Sequence, residues 1–178
     1  MYTGRHTKAI ESQTLLINAL LECLNEKELK DVQVKDICQK ANLTRQTFYS
    51  LFSTKENALY FHLKYNCNFI LDKLEIQKKQ ITTNDLANEF SYFYTTNKKF
   101  LKILVDNNFY NFLYDYFYNT LHNCRIKITN KKQNKEYLYA YISGSLIGLI
   151  IQLLKDDKDS QEISKITTEL LNGKYLIN

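Results

Sequence analysis

The chain has 178 residues, 44% of them hydrophobic and 24% charged, with a net charge of +5. This composition suits one or two small globular domains and is too apolar for a disordered chain. Proline is absent and glycine occurs only at Gly4, Gly144, Gly148 and Gly173, which excludes a sandwich or barrel and leaves no glycine cluster for a phosphate loop.

What remains is an all-α chain carrying 14 Tyr and 10 Phe. A first helix is predicted over Thr7 to Asn25, with Leu16, Ala19, Leu20, Cys23 and Leu24 at helical spacing. A charged segment, EKELKDVQ, interrupts it. Val34 to Ala41 reads as a short second helix with Val34, Ile37, Cys38 and Ala41 on one face. Asn42-Leu43-Thr44 is a tight turn: Asn tolerates the left-handed backbone that ends a helix, and Thr44 caps the next one, Arg45 to Phe52. Thr54 caps a fourth helix running from Lys55 to about Lys79, with the stripe Leu59, Leu63, Cys67, Ile70 and Leu74.

Thr82 or Thr83 caps a fifth helix bearing Leu86, Phe90 and Phe93, and a short sixth spans Asn97 to Asp106. The seventh carries Phe109, Phe112, Leu113, Tyr116, Phe117, Leu121 and Cys124. The basic run Arg125 to Lys135 leads into an eighth, Tyr137 to Leu154, which has no charge over 18 residues. That length just reaches a membrane span, but three Tyr, two Ser and a Gln fit a helix buried in protein, so no membrane partner is expected. Asp159 and Glu162 form a capping pair for a ninth helix with the stripe Ile163, Ile166 and Leu170 and a stop at Gly173.

Charge is uneven along the chain. Residues 1–60 hold 8 Lys/Arg against 7 Asp/Glu, residues 61–135 hold 12 against 6, and residues 136–178 hold 4 against 6. An N-terminal nucleic-acid site would therefore act by placing its cations, not by bulk charge. The polar start and the absence of CxxC spacing predict four reduced cysteines, Cys23, Cys38, Cys67 and Cys124, in a cytoplasmic protein. The His62/Cys67 and His122/Cys124 spacings do not share a helix face, so neither a metal nor another cofactor is expected. The alternative of a helical enzyme or carrier lacks any Ser/His/Asp, paired-carboxylate or metal-spaced set to support it.

The informative segment is residues 33–55, QVKDICQKANLTRQTFYSLFSTK: short helix, tight turn, short helix, the form of a helix-turn-helix. Leu43, Phe48, Leu51 and Phe52 would pack the second helix inward. Arg45, Gln46, Thr47 and Ser50 then include its outward positions, and Arg and Gln can read guanine and adenine edges. Thr44, Tyr49 and Lys55 are donors suited to phosphate. A helical hairpin with a solvated polar face would show much of the same pattern.

This segment resembles the TetR/AcrR family of bacterial transcription regulators. Val34-Lys35-Asp36-Ile37-Cys38 matches its V-R-D-I-A, Ala41-Asn42-Leu43-Thr44 its A-G-V-S, Thr47-Phe48-Tyr49-Ser50-Leu51-Phe52 its T-[LF]-Y-x-[HY]-F, and Thr54-Lys55-Glu56 its S-K-E. The match covers about 50 N-terminal residues. Glu28 and Asn42 stand at usual glycine positions, Gln33 at a usual Ser/Thr cap, Gln46 at a usual small residue and Leu51 at a usual His or Tyr.

The resemblance implies about nine helices in two domains. One, over residues 5–65, has its helix-turn-helix at about 33–52; the other, over 66–178, binds an effector and dimerises. It implies a ligand-released repressor on an inverted-repeat operator, the alternative being a coactivator that works through a protein partner. It also implies a homodimer built on the last two helices, and Ala140, Gly144 and Gly148, at i, i+4, i+8, give the eighth helix a seam for close approach. Phe90, Phe93, Phe112, Tyr116 and Phe117 are candidates for the wall of the implied pocket, and the missing buried acid or base points to an apolar or aromatic effector.

Overall fold

The computed structural model describes residues 7–67, 82–123 and 134–173. Among them are eight α-helices and no strand: α1 Thr7–Glu26, α2 Val34–Lys40, α3 Arg45–Leu51, α4 Lys55–Asn66, α5 Thr83–Asp106, α6 Tyr110–Asn123, α7 Lys135–Leu153 and α8 Ser160–Leu171. A single 3-10 turn, Leu29–Asp31, lies between α1 and α2. The expected continuation of α4 to Lys79, with Ile70 and Leu74, falls outside the described residues, as do Cys124 and the basic run before Lys135. The chain divides into two compact units, Met1–Asn66 and Cys67–Asn178.

In the first unit α1 packs on α2, α3 and α4, and α2 packs on α3. The buried set is Leu16, Ile17, Leu20 and Cys23 of α1, Leu29 and Val32 of the connection, Ile37 and Cys38 of α2, Phe48 and Leu51 of α3 with Phe52 behind it, and Ala58, Leu59 and Leu63 of α4. An edge-to-face aromatic chain ties α3 to α4: Phe48 to Phe52 at 5.9 Å between centroids, then Phe52 to Phe61 at 5.5 Å.

In the second unit α5 lies along α8, α6 along α7, and α5 also meets α7. Residues 83–106, expected as two helices, form one. The polar stretch Thr95-Thr96-Asn97 lies where the two were expected to divide, but the Thr95 and Asn97 side chains bond back to their own helix. The Thr95 hydroxyl donates to the Ser91 carbonyl at 2.9 Å and the Asn97 amide to the Phe93 carbonyl at 2.8 Å. The inward stripe runs through without interruption: Leu86, Phe90, Phe93, Tyr94, Leu101 and Leu104 are all buried.

Capping fixes the ends of α5 and α8. Thr82 with Asp85 and Asp159 with Glu162 both form complete capping boxes. The face α8 buries is Ile163 and Thr167, whereas Ile166 is half-buried and Leu170 is 39% exposed, so the expected 163/166/170 stripe is rotated relative to the core. The reason is a polar ladder between α5 and α8. The Ser91 hydroxyl donates to the Ser160 carbonyl at 2.6 Å, Ser164 to Asn88 at 2.5 Å, Thr168 to Asn84 at 3.4 Å and Thr83 to Asn172 at 2.9 Å. Satisfying these groups turns Ser164 and Thr168 toward α5 and rolls Leu170 outward, while the buried Thr167 hydroxyl donates back to the Ile163 carbonyl at 2.7 Å.

Candidate nucleic-acid interface

The candidate interface is built by α2, the four connecting residues Ala41, Asn42, Leu43 and Thr44, and α3. Asn42 takes the left-handed conformation, φ 53°, which ends α2 without a glycine. The Leu43 amide donates to the Cys38 carbonyl at 2.9 Å, closing the turn. Thr44 then caps α3, its hydroxyl accepting from the Thr47 amide at 3.1 Å and pairing with the Thr47 hydroxyl at 2.9 Å.

The two faces of α3 separate cleanly. Phe48 and Leu51 are buried, while Thr44, Arg45, Gln46, Tyr49 and Ser50 are exposed and Thr47 and Leu43 are half-buried. Tyr49 keeps 53% of its surface exposed and sets its ring edge-to-face against Phe48 at 5.6 Å, so a stiff base carries its hydroxyl outward. The Ser50 hydroxyl donates back to the Thr47 carbonyl at 2.9 Å, which leaves its oxygen as an acceptor.

Charges on this unit are sorted by pairing. Lys27 meets Asp36 at 3.5 Å, Lys30 meets Glu28 at 2.6 Å, and Lys40 meets Glu26 at 3.1 Å and Glu22 at 3.8 Å. Exposed Arg45 and Lys35 stand outside these pairs. Lys35 was not singled out in the sequence, because nothing there distinguishes a paired lysine from an open one.

Lys55, expected to hold phosphate, is turned inward. Its ammonium donates to the Leu29 and Val32 carbonyls, both at 2.6 Å, in a half-buried setting. Thr54 caps α4 by accepting from the Asn57 amide at 3.1 Å.

Of the five aromatics expected around an effector, four are brought together. Phe93 stacks on Tyr116 at 5.6 Å and meets Phe117 edge-on at 5.4 Å, and Phe90 lies 6.4 Å from Phe117. The Tyr116 hydroxyl donates to the Cys67 carbonyl. Phe112 is half-buried and stacks on Phe109 at 4.8 Å. Beside this cluster in sequence, Tyr94 is 2% exposed and its hydroxyl has no hydrogen-bond partner among the described residues. No cluster of metal-ligating side chains occurs among the described residues. Burial raises the Cys23 and Cys38 thiols and pushes Cys67 up to about 12, so all three stay protonated.

On α7 the seam faces outward. Gly144 and Gly148 are exposed, and a Cβ added at either would meet nothing within 4 Å among the described residues. Their smallness therefore serves no contact with α6 or α5. Tyr137 and Tyr141 flank them at 77% and 63% exposure, and Ala140 is half-buried. The helix is long and apolar enough to cross a membrane by composition, but its opposite face, Tyr139, Ile142, Ser143, Leu146, Ile150 and Leu153, is buried in the protein.

A capped helix-turn-helix with polar side chains projecting from its second helix defines a DNA-binding regulator, here followed by a helical second unit. Comparison with known proteins agrees. Residues 16–60 match the family model of bacterial regulatory proteins of the tetR family, and residues 82–173, more than half the chain, match that of the transcriptional regulator C-terminal region. The chain belongs to the TetR family of transcriptional regulators.

Solved structures share the fold at low identity. Lin0861 from Listeria innocua is 14% identical with a TM-score of 0.76, over 99% of this chain and 97% of that one. The dihydroxyacetone kinase operon activator DhaS is 16% identical with a TM-score of 0.61, over 93% and 96%. The fatty acid degradation regulator FadR from Bacillus halodurans is 16% identical with a TM-score of 0.60, over the full length of both chains. No curated protein matches the chain significantly.

Proposed function

We propose that this protein is a cytoplasmic, ligand-released repressor that binds an inverted-repeat operator as a homodimer, with no enzymatic activity. The observation that carries the reading is the α3 surface. Arg45, Gln46, Tyr49 and Ser50 are exposed together on a helix whose other face is locked by Phe48 and Leu51. Arg45 and Gln46 are the base-reading side chains in this reading, Thr44 and Tyr49 donate to phosphate, and Thr47 and Ser50 lie on the outward face beside them.

The second copy in the dimer meets α7 at Ala140, Gly144 and Gly148. Support comes from two exposed glycines with no described atom within 4 Å of an added Cβ, flanked by Tyr137 and Tyr141, and from Leu170 rolled outward on α8. A two-fold pair presents its recognition helices symmetrically, so the operator is an inverted repeat. The effector is a small apolar or aromatic molecule accommodated near Phe90, Phe93, Phe112, Tyr116 and Phe117, and its binding releases DNA by favouring a dimer with altered helix spacing. A gel shift on the DNA upstream of the protein's own coding sequence tests this: a retarded band competed by the same duplex and not by a scrambled one is expected. Absence of any preferred duplex would favour a coactivator that works through a protein partner.

A further inference from the structure

Lys55 is the first residue of α4, where the helix dipole disfavours a cation. Its ammonium does not remain there. It crosses to the end of the 3-10 turn, where the Leu29 and Val32 carbonyls converge on it at 2.6 Å each. Carbonyls at the end of a helical turn carry partial negative charge, so this is the favourable end for a cation. Both residues that offer the carbonyls are themselves buried, at 4% and 2% exposure.

The neighbouring chain shows why such a contact is needed. Gln33 occupies the N-cap of α2 and its side chain makes no capping bond, and Glu28 before the turn makes none either. The entry to α2 therefore lacks the usual side-chain cap. Val32, held by Lys55, lies just before that uncapped residue. α2 packs directly on α3. A single ammonium thus connects the start of α4 to the start of the helix that supports the recognition helix.

We propose that Lys55 is a positioning residue: by holding the Leu29 and Val32 carbonyls it fixes the chain that enters the uncapped α2, and through α2 the recognition helix α3, instead of gripping phosphate. The role rests on the DNA-binding reading above. Sequence-independent binding depends on phosphate neutralisation, whereas sequence reading depends on where α3 is held. Loss of the ammonium then lowers discrimination and leaves the salt dependence intact.

The test compares wild type, Lys55→Met, Lys55→Arg and the double variant Gln33→Ser/Lys55→Met. Each is titrated at several salt concentrations against a duplex enriched by the wild type from a randomised pool, and against a scrambled duplex. The expected result for Lys55→Met is about a tenfold loss on the enriched duplex, the size of a lost charge-assisted hydrogen bond, with little change on the scrambled one. The salt slope stays at the wild-type value. Lys55→Arg retains discrimination, and Gln33→Ser restores it to Lys55→Met by steadying the α2 entry through another route, a hydroxyl that accepts from the free α2 amides.

Equal loss on both duplexes, with a salt slope shallower by about one per subunit, would show a phosphate contact and overturn the proposal. If Lys55→Met does not fold, the double variant decides: folded and discriminating supports the role, unfolded or indiscriminate refutes it. A wild type that enriches no duplex refutes the DNA-binding reading itself, and the positioning role with it.

Discussion

At the scale of single residues, the informative side chains are those whose polar atoms are either committed or left over. Tyr94 buries a hydroxyl with no partner among the described residues. Burying an unmade hydrogen bond costs about 1–3 kcal/mol, so Tyr94→Phe should leave thermal stability unchanged or raise it. A fall in the unfolding midpoint would show that the hydroxyl is bonded after all. His62 is the opposite case, a titratable ring whose burial lowers its pKa to about 4 from the ordinary 6.5. The unfolded chain binds this proton more readily, so the stability associated with neutral His62 is complete above pH 6.5 and declines as pH falls toward 4. Replacing His62 with Gln should flatten the pH dependence of urea unfolding in that window; an unchanged profile would remove His62 from the account.

Much of the recognition helix was legible at this scale. Asn42 as a left-handed helix end, Thr44 as a cap and Phe48, Leu51 and Phe52 as the inward face follow from local chemistry alone, and the structure shows each. The destination of Lys55 was not legible. Its partners are carbonyls 23 and 26 residues earlier, and backbone acceptors carry no residue type by which a sequence could announce them.

At the scale of elements, the capping box of α8 was readable because it lies within four consecutive residues. The unity of α5 and the face α8 buries were not, for related reasons. Thr95 and Asn97 resemble helix breakers until their side chains are seen bonding to Ser91 and Phe93. The roll of α8 is set by hydroxyls and carboxamides on a helix some 70 to 90 residues away in sequence. Apolar spacing alone favoured Leu170, and the polar ladder overrode it.

The exposed seam of α7 gives a prediction at this scale. A Cβ at Gly148 has no described atom within 4 Å, and leucine is favoured over glycine in a helix by about 1 kcal/mol. The helical content of the variant should therefore be retained while the dimer weakens, because a leucine separates the two seams. Sedimentation at several concentrations should show a shift toward monomer. A dimer as tight as wild type would place the interface elsewhere.

At the scale of the whole molecule, the second unit has a packed aromatic centre from two helices. Phe93 is fully buried between Tyr116 and Phe117. If it serves only as core, Phe93→Ala should cost about 3–5 kcal/mol. If it lines an effector site the loss should be smaller, and DNA release by the effector should change. Chemical denaturation, read together with release, separates the two.

The central claim is that α3 reads base pairs through Arg45. The most direct measurement is the affinity of wild type and Arg45→Ala for a duplex enriched from a randomised pool, for its single-base-pair variants, and for a scrambled duplex. The account predicts an enriched inverted repeat and a loss of about 1–3 kcal/mol for Arg45→Ala on it. It also predicts a relaxed preference at one base pair of each half-site and little change on scrambled DNA. Equal weakening of Arg45→Ala on both duplexes, or no enriched duplex at all, would contradict it.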